Sequence, residues 1–472
     1  MRAGSVLVEA EYVIPDAPHG GSRPPASSPP VIILGGGLTG ISTAVHLRAP
    51  WVLFEKEERL GGHARTDERD GYRFDRTGHW LHLRDPAIKS LVDELLPGQM
   101  VPIARRARIF SHGVLTRYPY QANLHGLPPE VIKECLLGVI DAKLATATAG
   151  AGAAASDEPD NFEEYCLRHF GEGISKHFMI PYNEKIWGVH PREITAAWCS
   201  RFVPLPNLEQ VIAGAVGAGP PEMGYNQSFL YPKAGGIETF TRALTTRMAA
   251  AGPARAGGRV HTRSSPDAVD WRGRAVVVGG ERIPYRALVA TIPLPELLKR
   301  MTDLPPEIEA HAARLRCTTL RYLNIGARGA PPADWHWIYV PERRYPFYRV
   351  NVFSTAMPSM APAGCASICV EMADRGPISE GAVRDTTAAL VAAGALGDPA
   401  DVVFAEPKQI EYAYVVFDHH YYAATRAIFA FLEANDIHPR GRYGAWTYNA
   451  MEDCVLAGRE VAGLVDRADG AA

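Results

Sequence analysis

The sequence has no excess of either charge. Its 49 basic and 52 acidic side chains leave a formal net charge of −3, so no global field draws it to nucleic acid or to an anionic membrane, and any phosphate must be gripped locally. No apolar run is long enough to span a bilayer, and the first residues lack the basic-then-apolar order of a secretory leader. Cysteines are few and odd in number: Cys135, Cys166, Cys199, Cys317, Cys365, Cys369 and Cys454. They form no CxxC pair and show no metal-ligand spacing to histidine, so reduced thiols, no metal and a cytoplasmic location are expected. Also missing is a Ser-His-Asp, Cys-His or paired-carboxylate arrangement of the kind that supplies a nucleophile or an acid–base pair.

What is present is one glycine-rich turn between two apolar runs. Residues 31–34 read as a buried strand, Gly35, Gly37 and Gly40 give the GxGxxG spacing at the start of a helix, and residues 51–54 read as a second strand closed by Glu55. The first glycine allows a sharp turn, the second a close approach of backbone to a pyrophosphate, and the third tight packing of helix on sheet. Phosphate would lie on the helix N-terminus, where free N–H groups and the helix dipole favour an anion. Glu55 stands twenty residues after Gly35, the distance at which an acid meets a ribose hydroxyl. An adenosine dinucleotide is therefore expected.

Gly61, Gly62 and Arg65 follow directly. This extension resembles that of flavoproteins of the amine oxidase and glutathione reductase type, in which the glycines and the arginine continue the pyrophosphate site. The resemblance implies FAD. From residues alone the same stretch also suits a surface turn with a solvated arginine.

A chain of 472 residues that is 47% hydrophobic should form two or three domains. The expected class is α/β: a Rossmann-like FAD-binding domain with inserted helical and α+β substrate domains. Residues 1–30, rich in Pro, Gly and Ser near their end, read as a flexible extension. Residues 31–100, 225–300 and 430–466 are assigned to a discontinuous FAD domain, 101–224 to a mainly helical substrate domain and 301–429 to a sheet-containing one. Asp85 and Pro86 open a helix ending near Leu96. Residues 141–161, rich in Ala and Gly, suit a frayed helix and a loop, either idle or a lid.

Together these stretches resemble the flavin amine oxidase and protoporphyrinogen oxidase superfamily and, within it, the UDP-galactopyranose mutase family. The most specific block is Met179, Ile180, Pro181, Tyr182, Asn183, Lys185 and Trp187, followed by Trp198 and Arg201. Thr77, Gly78 and His79 match the family's Gly-Gly-His turn beside flavin N5, with Thr in place of the first glycine. By this resemblance His79 and Arg328 are the catalytic candidates. Gly35, Gly37, Gly40, Glu55, Gly62, Arg65, Arg442 and Met451 would hold FAD. Tyr182, Asn183, Trp187, Asn226, Arg328, Tyr414 and Tyr448 would hold a nucleotide-diphosphate sugar. One of the family's two diphosphate arginines falls on Arg328 and the other on Ile180, where the planar charged fork is lost.

The resemblance implies an enzyme in which reduced FAD attacks the anomeric carbon through N5, forming a flavin–sugar adduct that lets a hexopyranose become a hexofuranose without net redox change. External NAD(P)H or another reductant would prime it. The implied partner is the nucleotide sugar, with no nucleic acid or membrane, and homo-oligomerisation is left open. Two other classes stay in view. One is an FAD-dependent oxidoreductase, such as an amine oxidase, a protoporphyrinogen oxidase-like or a sugar-oxidising enzyme, and the other is a flavin-binding protein without chemistry. Tyr182, Trp187 and Trp198 at helical spacing equally suit core packing, and Arg328 equally suits a surface ion pair.

Overall fold

The computed structural model describes residues 29–148, 159–201, 203–219, 227–255, 258–373 and 376–470. Nearly all of the N-terminal extension, residues 149–158 of the Ala/Gly-rich stretch, and Asn226 lie outside them.

The strand Val31–Leu34 is fully buried along its length. That is the pattern of a parallel strand covered on both faces by helices. It is central in a five-stranded parallel sheet whose spatial order is Ile437–Pro439, Ala287–Ala290, Val31–Leu34, Trp51–Phe54 and Arg259–His261. Strands from three distant parts of the chain thus build one sheet. The helix Leu38–His46 starts immediately after the glycine turn and packs on the C-terminal helix Met451–Gly470. Gly458 makes that approach possible, because a Cβ there would lie 2.5 Å from the Thr39 carbonyl oxygen.

Asp75 joins the pieces of this unit. It ends the hairpin of Thr66–Arg69 and Tyr72–Asp75. Its carboxylate accepts from the Thr66 hydroxyl (2.7 Å), the Tyr231 hydroxyl (2.5 Å) and the Ile237 amide (3.1 Å). Burial pushes its pKa up to about 7 despite these donors. The folded pKa stands above the usual 3.8, so the folded chain binds the extra proton. The stabilisation linked to that proton is fully present below about pH 4 and is lost as pH rises through about 7. Asp75→Asn should therefore flatten the decline in melting temperature between pH 5 and 8; an unchanged decline would mean that Asp75 is already ionised when folded at pH 5.

A second sheet has seven strands in the order Val402–Val415, Cys317–Arg328, Cys365–Met372, Phe347–Val352, Trp337–Tyr339, Ala107–Ser111 and Val114–Arg117. Its far face is covered by the helix Glu380–Ala392. The segment 101–224, expected to be mainly helical, opens with strands: Met100–Ala104 pairs with Ser228–Pro232, and the next two extend the seven-stranded sheet. These strands are four or five residues long, too short to set a period against the helices that follow.

Those helices are Pro129–Thr148, Phe162–Ile174 and Ile180–Trp187. The first two touch through glycine: Gly171 has φ +69, and a Cβ on it would lie 2.0 Å from the Gly138 carbonyl oxygen. A π-helical turn, Ser175–Met179, then redirects the chain into Ile180–Trp187. Such turns re-aim a helix face, and here the re-aimed face lines a cleft.

Candidate functional site

The glycine turn has the shape of a dinucleotide cradle. Gly35 has φ +99, and a Cβ on Gly40 would lie 2.0 Å from the Gly35 carbonyl oxygen, so turn and helix meet backbone to backbone. Gly37 caps the helix, is partly exposed, and would present a Cβ only to Gly62 Cα, at 3.9 Å. The Gly61 amide donates to the Gly36 carbonyl (2.7 Å), which holds the second glycine pair against the first. A bare surface over a helix N-terminus fits the pyrophosphate of FAD. Glu55 closes the turn: its carboxylate accepts from the amides of Gly36 (2.6 Å) and Glu57 (2.8 Å). With about four lone-pair sites, it can still accept ribose hydroxyls.

Arg65 differs from expectation. It is only 1% exposed, and its guanidinium donates to the carbonyls of Leu60 (3.1 Å) and Arg59. It shapes the turn that carries Gly61 and Gly62 and does not stand open to phosphate. Met451 heads the C-terminal helix, half-buried. Arg442 donates to the carbonyls of Asn449 (2.9 Å) and Ala413 (3.2 Å), and its guanidinium lies 4.5 Å from the Tyr448 ring and 5.5 Å from the Tyr414 ring.

The turn before His79 is strained, since Thr77 holds φ +68 with a β-branched side chain. His79 Nδ1 faces the Thr77 carbonyl oxygen at 3.4 Å. Burial pushes the imidazole down to about 4, with the charges of Arg442 and Arg349 acting in the same direction, so it is neutral at pH 7.

Beside this turn opens an aromatic cleft of about 220 Å³. The helix Ile180–Trp187 and the residue before it contribute Met179, Tyr182, Asn183, Ile186 and Trp187, the i, i+3, i+4, i+7 face of a helix. Ile180 is not among the lining residues. Tyr182 stacks on Phe178, with centroids 5.3 Å apart. Asn183 accepts from Trp187 Nε1 (3.0 Å) and donates to the Met179 carbonyl (2.7 Å), which fixes the tryptophan's rotamer. Tyr414 and Tyr448 form a near-parallel pair 6.4 Å apart, and Tyr414 stands edge-on to Trp187 at 5.9 Å.

The cleft's arginine is Arg349, which the sequence reading missed. Its Nε donates to Glu371 Oε1 (2.7 Å) and its Nη2 to the Tyr414 hydroxyl (3.3 Å). Burial opposes its charge, but the fully buried Glu371 carboxylate and the hydroxyls of Tyr414, Tyr348 and Tyr182 together outweigh that and raise its pKa. A register shift between Phe347 and Arg349 brings both Tyr348 and Arg349 onto Glu371, as a bulge does when it re-aims a side chain. The available signal was Glu371 itself, a carboxylate inside a largely apolar strand, which requires a buried donor.

Arg328 is the correction that follows. It ends its strand, is exposed, and donates to the Ala400 carbonyl (2.9 Å). Tyr322, the residue of that strand paired with Glu371, lies six residues back, which is about 20 Å of strand. Arg328 is therefore outside the cleft.

Lys185 lies on the helix face away from the cleft and donates to the carbonyls of Val340 (3.1 Å), Glu342 and Phe347 (2.9 Å). It fastens the loop whose ends carry Tyr339 and Arg349. Burial pulls its pKa down to about 7, while three acceptors favour the ammonium form. Lys185→Met should lower stability by about 2–4 kcal/mol and weaken ligand binding in the cleft without releasing the cofactor. Normal ligand affinity in a folded variant would show that the loop holds itself.

A larger cavity, about 630 Å³, opens beside the hairpin and is lined by charged side chains. Three of the four cations among its described lining residues are matched, Arg59 with Glu238 (3.0 Å), Arg73 with Glu68 (2.9 Å) and Lys408 with Glu406 (2.7 Å), and the fourth, Arg242, donates to the Thr239 hydroxyl (3.4 Å). It lacks the aromatic walls that the smaller cleft has.

Among the described residues no group of three or more His, Cys, Asp or Glu is placed to hold a metal, and no helix is long and apolar enough to cross a membrane. The six cysteines whose side chains are described are free thiols.

A protein-family model for flavin-containing amine oxidoreductases matches residues 38–465. The chain is 28% identical over 181 residues to a dTDP-fucopyranose mutase of Escherichia coli, covering 36% of this chain and 45% of the relative. It is 23% identical over 203 residues to a Klebsiella pneumoniae protein named as a probable UDP-galactopyranose mutase, covering 42% and 51%. These alignments span about half the length of each relative. A crystal structure of reduced UDP-galactopyranose mutase superposes with a TM-score of 0.84 at 26% identity, covering 95% of both chains.

Proposed function

The chain belongs to the flavin-containing amine oxidoreductase family, and from that premise we propose that it is an FAD-dependent mutase interconverting the pyranose and furanose forms of a hexose carried on a nucleoside diphosphate. The observation that carries this reading is the meeting of two sites at Arg442. It follows Gly441, which packs on Thr39 of the helix behind the glycine turn, and its guanidinium lies over Tyr448 and Tyr414 of the aromatic cleft. A ligand in the cleft would thus reach the cofactor's reactive end. The whole-chain likeness to a mutase structure supports the same reading.

When bound and reduced, FAD supplies the nucleophile at the anomeric carbon, with no net redox change. The protein's own part is to bind and orient. Arg349 offers its fork to the diphosphate, and the hydroxyls of Tyr414 and Tyr448 donate to phosphate oxygens. Tyr182, Trp187 and Tyr339 wall the cleft and keep water out, which strengthens those contacts. Asn226 is assigned to the nucleotide sugar by its place in the sequence. His79, kept neutral, leaves the cleft's positive charge on Arg349.

A second reading, net oxidation of a less charged substrate, rests on one feature. Arg349 is the one cation among the described lining residues of the cleft, and Glu371 matches its charge. Anaerobic incubation of reduced protein with UDP-, CDP-, GDP- and dTDP-hexoses decides between them. A same-mass isomer formed only with reduced flavin supports the mutase; no isomer, with oxidised flavin bleached by substrate, supports the oxidoreductase.

A further inference from the structure

Alternate residues of a strand share a face, so Asn351 stands on the same side of the strand Phe347–Val352 as Arg349, two residues further along. It is buried, and its Nδ2 donates to Glu371 Oε1 (3.1 Å), the oxygen that also accepts from Arg349 Nε (2.7 Å). A carboxylate only accepts, so the amide nitrogen must be the end that faces Glu371, and the amide oxygen is aimed the other way. There it meets the turn before His79: a Cβ on Gly78 would lie 2.8 Å from Asn351 Oδ1. Cys369, the cross-strand partner of Asn351, holds the same turn, since the Thr77 amide donates to its buried sulfur. Thr77 is the residue at φ +68, so the strained turn rests on two neighbouring side chains of this sheet. One carboxylate oxygen therefore carries both the cleft's arginine and the side chain that backs the turn.

We propose that Asn351 is a positioning residue of the reaction: through Glu371 it fixes the spacing between Arg349 and the Thr77–His79 turn, so that a diphosphate seated on Arg349 sets the sugar correctly against that turn. The proposal rests on the nucleotide-sugar reading given above. Asn351 is not among the residues that line the cleft, and it acts through Glu371 and Gly78 without touching the ligand. A phosphate drawn to Arg349 shares the guanidinium with Glu371, whose Oε1 then leans more on Asn351. Gly78 has no side chain to absorb a shift of the amide, so the movement passes to the backbone of the turn. Such shifts matter, because a misplacement of about 1 Å at a reacting centre can cost on the order of 100-fold in rate.

The test compares wild type with Asn351→Leu, which keeps bulk beside Gly78 and loses the bond to Glu371, both loaded with FAD. Two quantities are read. One is the affinity for UDP, CDP, GDP or dTDP, chosen by whichever hexose the wild type isomerises; the other is kcat for that hexose with reduced flavin. With Arg349 intact, affinity should stay within about threefold while kcat falls about tenfold. A folded variant whose kcat stays within about twofold of wild type overturns the proposal, and so does a loss of affinity as large as the loss of kcat, which would make Asn351 only a support for Arg349. If Asn351→Leu does not fold, Asn351→Ser, smaller and still polar, is read against the same limits. A wild type that isomerises no hexose overturns the nucleotide-sugar reading and this proposal with it. Isomerisation by the wild type beside an unaffected variant overturns this proposal alone.

Discussion

Arg349→Ala should lose nucleotide-sugar binding and much of its stability together. The guanidinium has two tasks. It offers a planar fork to a diphosphate, and it is the counter-ion of Glu371, which is 0% exposed and also accepts from Tyr348 (2.8 Å) and Asn351 (3.1 Å). Truncating one partner of a buried pair leaves an uncompensated charge and costs about 3–5 kcal/mol. Losing the charge-assisted contact to phosphate costs about 2–5 kcal/mol of binding, roughly 30-fold to several-thousand-fold in affinity. The two effects can be separated. Arg349→Met combined with Glu371→Gln removes both charges, so it should recover most of the melting temperature while nucleotide-sugar affinity stays low. Calorimetry and ligand titration read the two quantities. Recovery of affinity in the double variant would show that Arg349 is purely a structural counter-ion.

Gly37→Val should give a folded protein without flavin. A Cβ at Gly37 meets nothing nearer than Gly62 Cα at 3.9 Å, so the side chain enters the space reserved for the pyrophosphate and clashes with the cofactor but not with the chain. FAD affinity should fall at least about 100-fold, since backbone and phosphate can no longer approach. Gly40→Val is the contrast. Its Cβ would lie 2.0 Å from a carbonyl oxygen of the same turn, so the helix cannot pack and the fold itself should fail. The flavin-to-protein ratio and the melting temperature distinguish the two. Full flavin content in Gly37→Val would move the cofactor away from this cradle.

The parts of the site that were legible in the sequence are those fixed by local geometry. Gly35, Gly37 and Gly40 each have a steric reason visible in their spacing, and Asp85 caps the helix Pro86–Leu95 from the position its sequence predicts, accepting from the amides of Ala87 and Ile88. The cleft arginine was not legible, because its aim depends on a bulge and on a carboxylate 22 residues away in a neighbouring strand. Arg328 was assigned to the diphosphate by family resemblance, yet its strand runs for 12 residues and carries it beyond the cleft. Arg65 kept the expected position but turned inward to the carbonyls of its own turn. The strands between residues 100 and 117 were hidden for a related reason: two of the three owe their place to pairing in a sheet whose other strands come from residues 317–415. Separation along the chain is therefore what sequence periodicity cannot bridge.

The most direct test of the mutase reading is the number of turnovers obtained from one reduction. FAD-loaded protein is reduced once under anaerobic conditions, the excess reductant is removed, and excess nucleotide sugar is added while the flavin spectrum and the product are followed together. The expected result is same-mass isomer in many-fold excess over protein, with the flavin still reduced at the end. At most one product per flavin, or turnover that proceeds only when oxygen or another acceptor is supplied and consumed in step, would contradict it.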